Sequence, residues 1–198
     1  RRAILDRLAM ESENLGTPAL CRLARFETNE LLSKQAALLV MLQDVPRDPQ
    51  SQARRIATIA GVIGKSKRTG PVWLRTYLGA LAGKDSALAD LDRLTRAEQE
   101  TFSLRPDRSS PDIMGDLLLW QAGVLRDQGR KEEAFDVIVR RLDLLDDGRT
   151  DVMETVDWMI HRQAWSLIDE VDKRFSARRK DDAEFLYRLA EARIKQGR

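Results

Sequence analysis

Few residues in this chain are of a type that does chemistry, and fewer are spaced for it. There is one histidine, His161, and one cysteine, Cys21. No serine nucleophile elbow, metal-ligand cluster or glycine-rich strand–helix turn accompanies them. Cys21 stands among Leu20, Leu23 and Ala24, where a thiol behaves as a small apolar group. Gly64-Lys65-Ser66 has the ending of a phosphate loop, but Ile59 occupies the position of its first glycine and no strand precedes it. Asp143, Asp147, Asp151 and Glu154 fall at positions one, five, nine and twelve of a calcium-type loop, with Gly148 at six. Leu145 at position three cannot coordinate, so a capped turn between two helices is the better account. The expectation is a chain without catalytic residues, metal or cofactor.

Charge is the next place to look for a partner. Lys and Arg number 34 and Asp and Glu 32, so the formal net charge is only +2 and no global field demands a polyanion or a membrane. One segment is locally different. From Ser51 to Lys84 there is no carboxylate, while Arg54, Arg55, Lys65, Lys67 and Arg68 are present. These five are the candidates for a nucleic-acid or other polyanion-binding face, against the plainer reading of a solvated surface. Hydrophobic content of 42% describes a chain able to bury a core. Its longest apolar runs, such as Ala36 to Leu42, are far too short for a membrane span. A single cysteine excludes an internal disulfide. The start at Arg1-Arg2 and the stop at Gly197-Arg198 suggest a piece of a longer protein, and no compartment follows from it.

The elements that must carry these residues are all helical. Apolar residues recur at spacings of three and four, and alternation at period two never lasts. Arg1 to Glu13 reads as an amphipathic helix ended by Asn14-Leu15-Gly16. Thr17-Pro18 and Ser110-Pro111 read as helix starts, since a hydroxyl caps a free amide and proline at the first position loses no hydrogen bond. Further helices are expected near 29–43, 50–63, 71–83, 85–104, 111–128, 131–145, 150–161 and 163–175, with a last one opened by Asp181-Asp182. Thr95 to Glu98 has capping-box spacing, so a break is expected there. The polar stretch from Leu104 to Ser109 is the clearest linker. It divides the chain into residues 1–104, irregular hairpins similar to HEAT-type pairs, and residues 110–198.

The second part carries a period. Leu118, Ala122, Gly129 and Arg130 return as Leu186, Ala190, Gly197 and Arg198, each 68 residues on, or twice 34. Leu118-x2-Gln121-Ala122-x6-Gly129-Arg130-x2-Glu133-Ala134-Phe135 resembles a tetratricopeptide repeat. The stretch between keeps the length but has Val156 for the small residue and Gln163 for the glycine. The resemblance implies an all-α fold, a right-handed superhelix of antiparallel hairpins, and a non-enzymatic scaffold that binds a protein or peptide in a concave groove. By register that groove is lined by Leu119, Gly123, Arg126, Met153, Asp157, Ile160, Tyr187, Glu191 and Ile194. Its apolar floor with acidic points would suit an amphipathic or basic peptide. A polyanion-binding repeat and a regulatory segment of a larger enzyme are the alternatives.

Overall fold

The computed structural model describes residues 13–43, 45–46, 48–84, 86–105, 107–144 and 149–197. The reading of residues 1–12 as a helix, and the cap expected at Asp85, lie outside them. Every regular element among the described residues is an α-helix: α1 Glu13–Phe26, α2 Glu30–Met41, α3 Pro49–Ile63, α4 Thr69–Leu81 and α5 Ala87–Leu104; then α6 Pro111–Asp127, α7 Lys131–Leu144, α8 Arg149–His161, α9 Trp165–Phe175 and α10 Ala183–Lys195. The chain divides into two compact units, one up to Trp120 and one from Gln121.

In the first unit α1 packs on α2, α3 and α4, while α4 also meets α2, α3 and α5. Leu20, Cys21, Ala24, Ala36, Ala37, Val40, Ile59, Leu74 and Leu91 are fully buried. Alanines on facing helices let these backbones approach. Gly70 takes this furthest, because a Cβ there would stand 2.5 Å from Ser33 Oγ and 2.8 Å from the carbonyl oxygens of Ala24 and Ser33.

Helix ends follow their local chemistry. Asn29 accepts a hydrogen bond from the Leu32 amide at 3.1 Å, Asp48 from Ser51 at 2.8 Å and Ser110 from Ile113 at 3.2 Å. Each satisfies a backbone donor that the first helical turn leaves open. Two local expectations fail. Thr17-Pro18 does not start a helix, because α1 already runs from Glu13 with Pro18 inside it. Thr17, Leu20, Cys21 and Ala24 form its buried face, and Thr17 Oγ1 donates to Gln43 Oε1 at 3.0 Å. Continuing the helix through Pro18 keeps that face in register, which outweighs the lost backbone bond. Nor does α5 break at Thr95. Its hydroxyl turns back to the Leu91 carbonyl at 3.0 Å, and Glu98 points inward instead of capping.

In the second unit α8 packs on α9 and α10, and α9 on α10 and α7. From α8 to α10 each helix thus meets its neighbour in sequence, and the contacts of α7 with α9 and of α8 with α10 reach the next but one. The turns repeat with the helices. Gly129, Gln163 and Gly197, spaced 34 residues apart, all have left-handed backbone, with φ of 78°, 53° and 75°. Their amides donate to Arg126, Ile160 and Ile194 at 3.0, 3.2 and 2.9 Å. Arg130 and Ala164 add the longer bond, to Leu125 and Met159. This pair of bonds around a left-handed residue is the Schellman closure of a helix C-terminus.

Candidate functional site

The groove candidates do not form one open surface. Met153 and Ile160 are each 7% exposed on α8, and Leu119 is 9% exposed, so these three serve as core. A Cβ placed on Gly123 would stand 3.9 Å from Trp158 Nε1. The charged candidates are already engaged within the chain. Arg126 donates to the Arg162 carbonyl at 2.5 Å and lies over the Phe135 ring at 5.6 Å. Asp157 pairs with Arg188 at 3.1 Å. Glu191 pairs with Lys195 at 2.8 Å and Arg188 at 3.3 Å. The hydrogen bond from Lys195 and then that from Arg188 hold the Glu191 carboxyl below its ordinary range.

What remains open is on α10. Tyr187 is 66% and Ile194 74% exposed, and Leu186 beside them is 43% exposed. The opposite face, Phe185, Leu189 and Ala192, is buried. A helix apolar on both sides has the composition of one covered on both sides. The 34-residue period makes the contrast sharper. Leu118, Ala122 and Leu125 of α6 are buried, whereas Leu186 and Ala190, 68 residues on, are exposed.

The basic candidates separate in a different way. Arg54, Lys65, Lys67 and Arg68 are exposed, but Arg55 is 4% exposed and belongs to the core. Its guanidinium donates to Tyr77 Oη at 3.0 Å, the Val40 carbonyl at 2.8 Å and Gln43 Oε1 at 3.2 Å. Arg68 reaches the carbonyls of Phe26 and Glu27, and Arg75 those of Gly64 and Ser66. Arg25, from α1, donates to the Val62 carbonyl at 2.6 Å. These arginines meet the carbonyl ends of α1, α2 and α3, where the helix dipole favours a cation. Within the carboxylate-free segment, Arg55, Arg68 and Arg75 are thus held by backbone carbonyl oxygens.

Sequence reasoning missed a buried ionic cluster in the first unit. Lys34 is 1% and Glu98 3% exposed, and Lys34 Nζ lies 2.7 Å from Glu98 Oε2. Lys34 also donates to the Arg108 carbonyl at 2.7 Å, and Ser109 Oγ donates to Glu98 Oε1 at 2.6 Å. The ammonium stands 5.7 Å from the Trp73 ring centre. Two helices and the 105–110 connection are joined there. No spacing rule could have linked residues 34 and 98, and Glu98 carried a competing local explanation as a cap.

The remaining reactive groups are quiet. Burial, offset in part by Arg55, pushes the Cys21 thiol up to about 12, so it stays protonated. His161 is exposed at the end of α8. Of the calcium-type loop, residues 145–148 lie outside the described ones, Asp143 pairs with Arg174 at 2.5 Å, and Glu154 stands 3.5 Å from Arg141. Among the described residues no group of three or more His, Cys, Asp or Glu could hold a metal, and no helix is long and apolar enough to cross a membrane. A shallow depression of about 380 Å³ lies at the end of α1, lined by Arg22, Leu23, Phe26, Glu27 and Thr28. No family model, curated protein or solved structure matches the chain.

Proposed function

We propose that this chain is a non-catalytic helical-repeat module whose role is to bind protein. Its second unit is read as a right-handed stack of tetratricopeptide-type hairpins, and its first as less regular hairpins. The observation that carries the reading is the recurrence of one turn. Gly129, Gln163 and Gly197 share a left-handed backbone and the same amide-to-carbonyl bond, 34 residues apart. Contact of α8 with α10, and of α7 with α9, is what stacking of successive hairpins requires. The binding surface is placed on α10, whose outer face carries Leu186, Tyr187 and Ile194. Apolar residues exposed together on one helix face are what supports placing the interaction there.

The test is capture of a protein partner by the chain and by its Leu186→Asp and Ile194→Asp variants. Both positions are exposed, so the variants are expected to fold, as circular dichroism would check. Loss of the partner in both variants is the expected result. Equal capture by all three proteins would reject the α10 surface. The basic segment supports a weaker reading, because Arg55 is inside the core and Arg68 is engaged by carbonyls.

A further inference from the structure

We propose that the end of α1 and the turn between α3 and α4 form a binding surface for single-stranded nucleic acid, with the Phe26 ring as the platform for a base and the cations around it as contacts for phosphates. The surface belongs to the first unit and adds a partner that the α10 reading does not contain.

The turn from Gly64 to Gly70 carries Lys65, Lys67 and Arg68 but no aromatic residue. The fold brings it one. Arg68 donates to the carbonyls of Phe26 and Glu27, and Arg25 donates to that of Val62. The last residue of α1 is thereby fixed beside the basic turn. Phe26 is 63% exposed, although a phenyl ring gains most when it is buried. The Arg25 guanidinium stands 4.8 Å from the ring centre, a cation–π contact that steadies the ring. The shallow depression at this end of α1 has Arg22, Leu23, Phe26, Glu27 and Thr28 for its walls. An open ring flanked by arginine is an arrangement on which an unpaired base stacks, and stacking needs no deep pocket. A peptide side chain anchored by burial would need one.

Charge sets the class of ligand. Residues 22–30 and 64–75 hold six arginines and lysines and two carboxylates. Both carboxylates are engaged within the chain. Glu27 accepts from the Asn29 amide at 2.9 Å, while Glu30 accepts from Thr69 at 3.3 Å and lies 3.5 Å from Lys34. Arg25, Arg68 and Arg75 are anchored on carbonyl oxygens, which are neutral, so their charge is placed and not cancelled. A guanidinium has five donors, and the two carbonyls that Arg68 and Arg75 each reach leave the others for a phosphate. Arg22, Lys65, Lys67, Arg68 and Arg75 are all exposed. A positive surface with an aromatic platform fits a polyanion whose bases are unpaired, since in a duplex the base faces are covered by their neighbours.

The test is a titration of a labelled oligothymidylate of about 20 nucleotides with the full 198-residue chain, read by fluorescence anisotropy at several salt concentrations. Phosphate contacts from the five exposed cations predict an affinity that falls with salt at a log–log slope of about −3.5. Phe26→Ala should weaken binding about tenfold and leave that slope unchanged, because stacking releases no counterion. Lys65→Ala with Lys67→Ala should weaken binding and reduce the slope by about 1.4. All three positions are exposed, so both variants are expected to fold, as circular dichroism would check. Leu186→Asp and Ile194→Asp should bind the oligonucleotide like the parent, so this surface and the α10 reading fail separately. A duplex of the same length and a polyglutamate chain of matching charge serve as competitors, and both are expected to compete poorly. No binding, an affinity indifferent to Phe26→Ala, or a competitor as effective as the unlabelled oligonucleotide overturns the proposal; an effective polyglutamate would make the ligand an acidic protein segment instead.

Discussion

Gln163 and Gly129 hold the same left-handed backbone, and each donates its amide to the carbonyl three residues back. Only one of them is the residue that such a backbone favours. A side chain with a Cβ in this region costs roughly 1 kcal/mol that glycine does not. Gln163→Gly should therefore stabilise the second unit by about 0.5–1 kcal/mol, the smaller end reflecting glycine's freedom in the unfolded chain. Gly129→Gln should destabilise by about 1 kcal/mol. Urea unfolding of both variants measures this. A Gln163→Gly variant less stable than the parent would mean that the shared turn geometry is not what holds position 163.

The Lys34–Glu98 pair makes a prediction of opposite character. With both groups nearly inaccessible, removing one leaves the other charged inside the first unit. Lys34→Met or Glu98→Leu alone should cost about 3–5 kcal/mol. The double variant should cost much less than the sum, because an apolar pair of similar volume removes the desolvation problem. A double-mutant cycle by denaturant unfolding gives the coupling. Simple additivity would show that the two side chains do not share one buried site.

These pairs also mark where the sequence stops being readable. Helix positions followed from apolar spacing, and Asp182 and Ser110 mark helix starts because a cap needs only residues three apart. The turns at Gly129 and Gly197 were legible for the same reason. Pro18 misled because its local rule lost to the burial of Thr17, Leu20 and Ala24 along one face. Arg55 looked like part of a basic surface because arginine is rarely buried. Its Tyr77 and Val40 partners stand 22 and 15 residues away, beyond any local rule. The groove candidates came from register alone. Register identifies equivalent backbone positions but not which neighbours cover them, hence Met153 lies inside and Tyr187 outside.

Two glycines in helices should respond to alanine with opposite signs. At Gly70 the new Cβ would press on Ser33 Oγ and on two backbone oxygens. Ser33 cannot swing aside cheaply, since its hydroxyl donates to the Ala24 carbonyl at 2.7 Å. Gly70→Ala should cost about 2–3 kcal/mol through overpacking. At Gly61 in α3 nothing lies within 4 Å of the new atom. Gly61→Ala should stabilise by about 0.5–1 kcal/mol through helix propensity. Thermal unfolding of the two variants separates them. A neutral Gly70→Ala would mean that α4 does not sit this close to α1 and α2.

Acid should act on the α3 cap in a defined direction. Hydrogen bonds from the Ser51 backbone and side chain lower the Asp48 carboxyl below its ordinary value of 3.8. A carboxyl whose folded pKa is depressed binds its proton more readily in the unfolded chain. Its contribution to stability is therefore full above the unfolded value and is lost as pH falls through the folded one. Asp48→Asn keeps a capping oxygen but does not titrate in this range. The stability of the parent relative to this variant should hold steady down to about pH 4.5 and then decline towards pH 2. Glu170 and Glu191, also held low by hydrogen bonds from Arg174 and Lys195, titrate alike in both proteins and cancel in the difference. Denaturant midpoints for the two proteins across that range read the effect. A difference that stays flat into acid would mean the Asp48 cap at Ser51 does not depend on its charge.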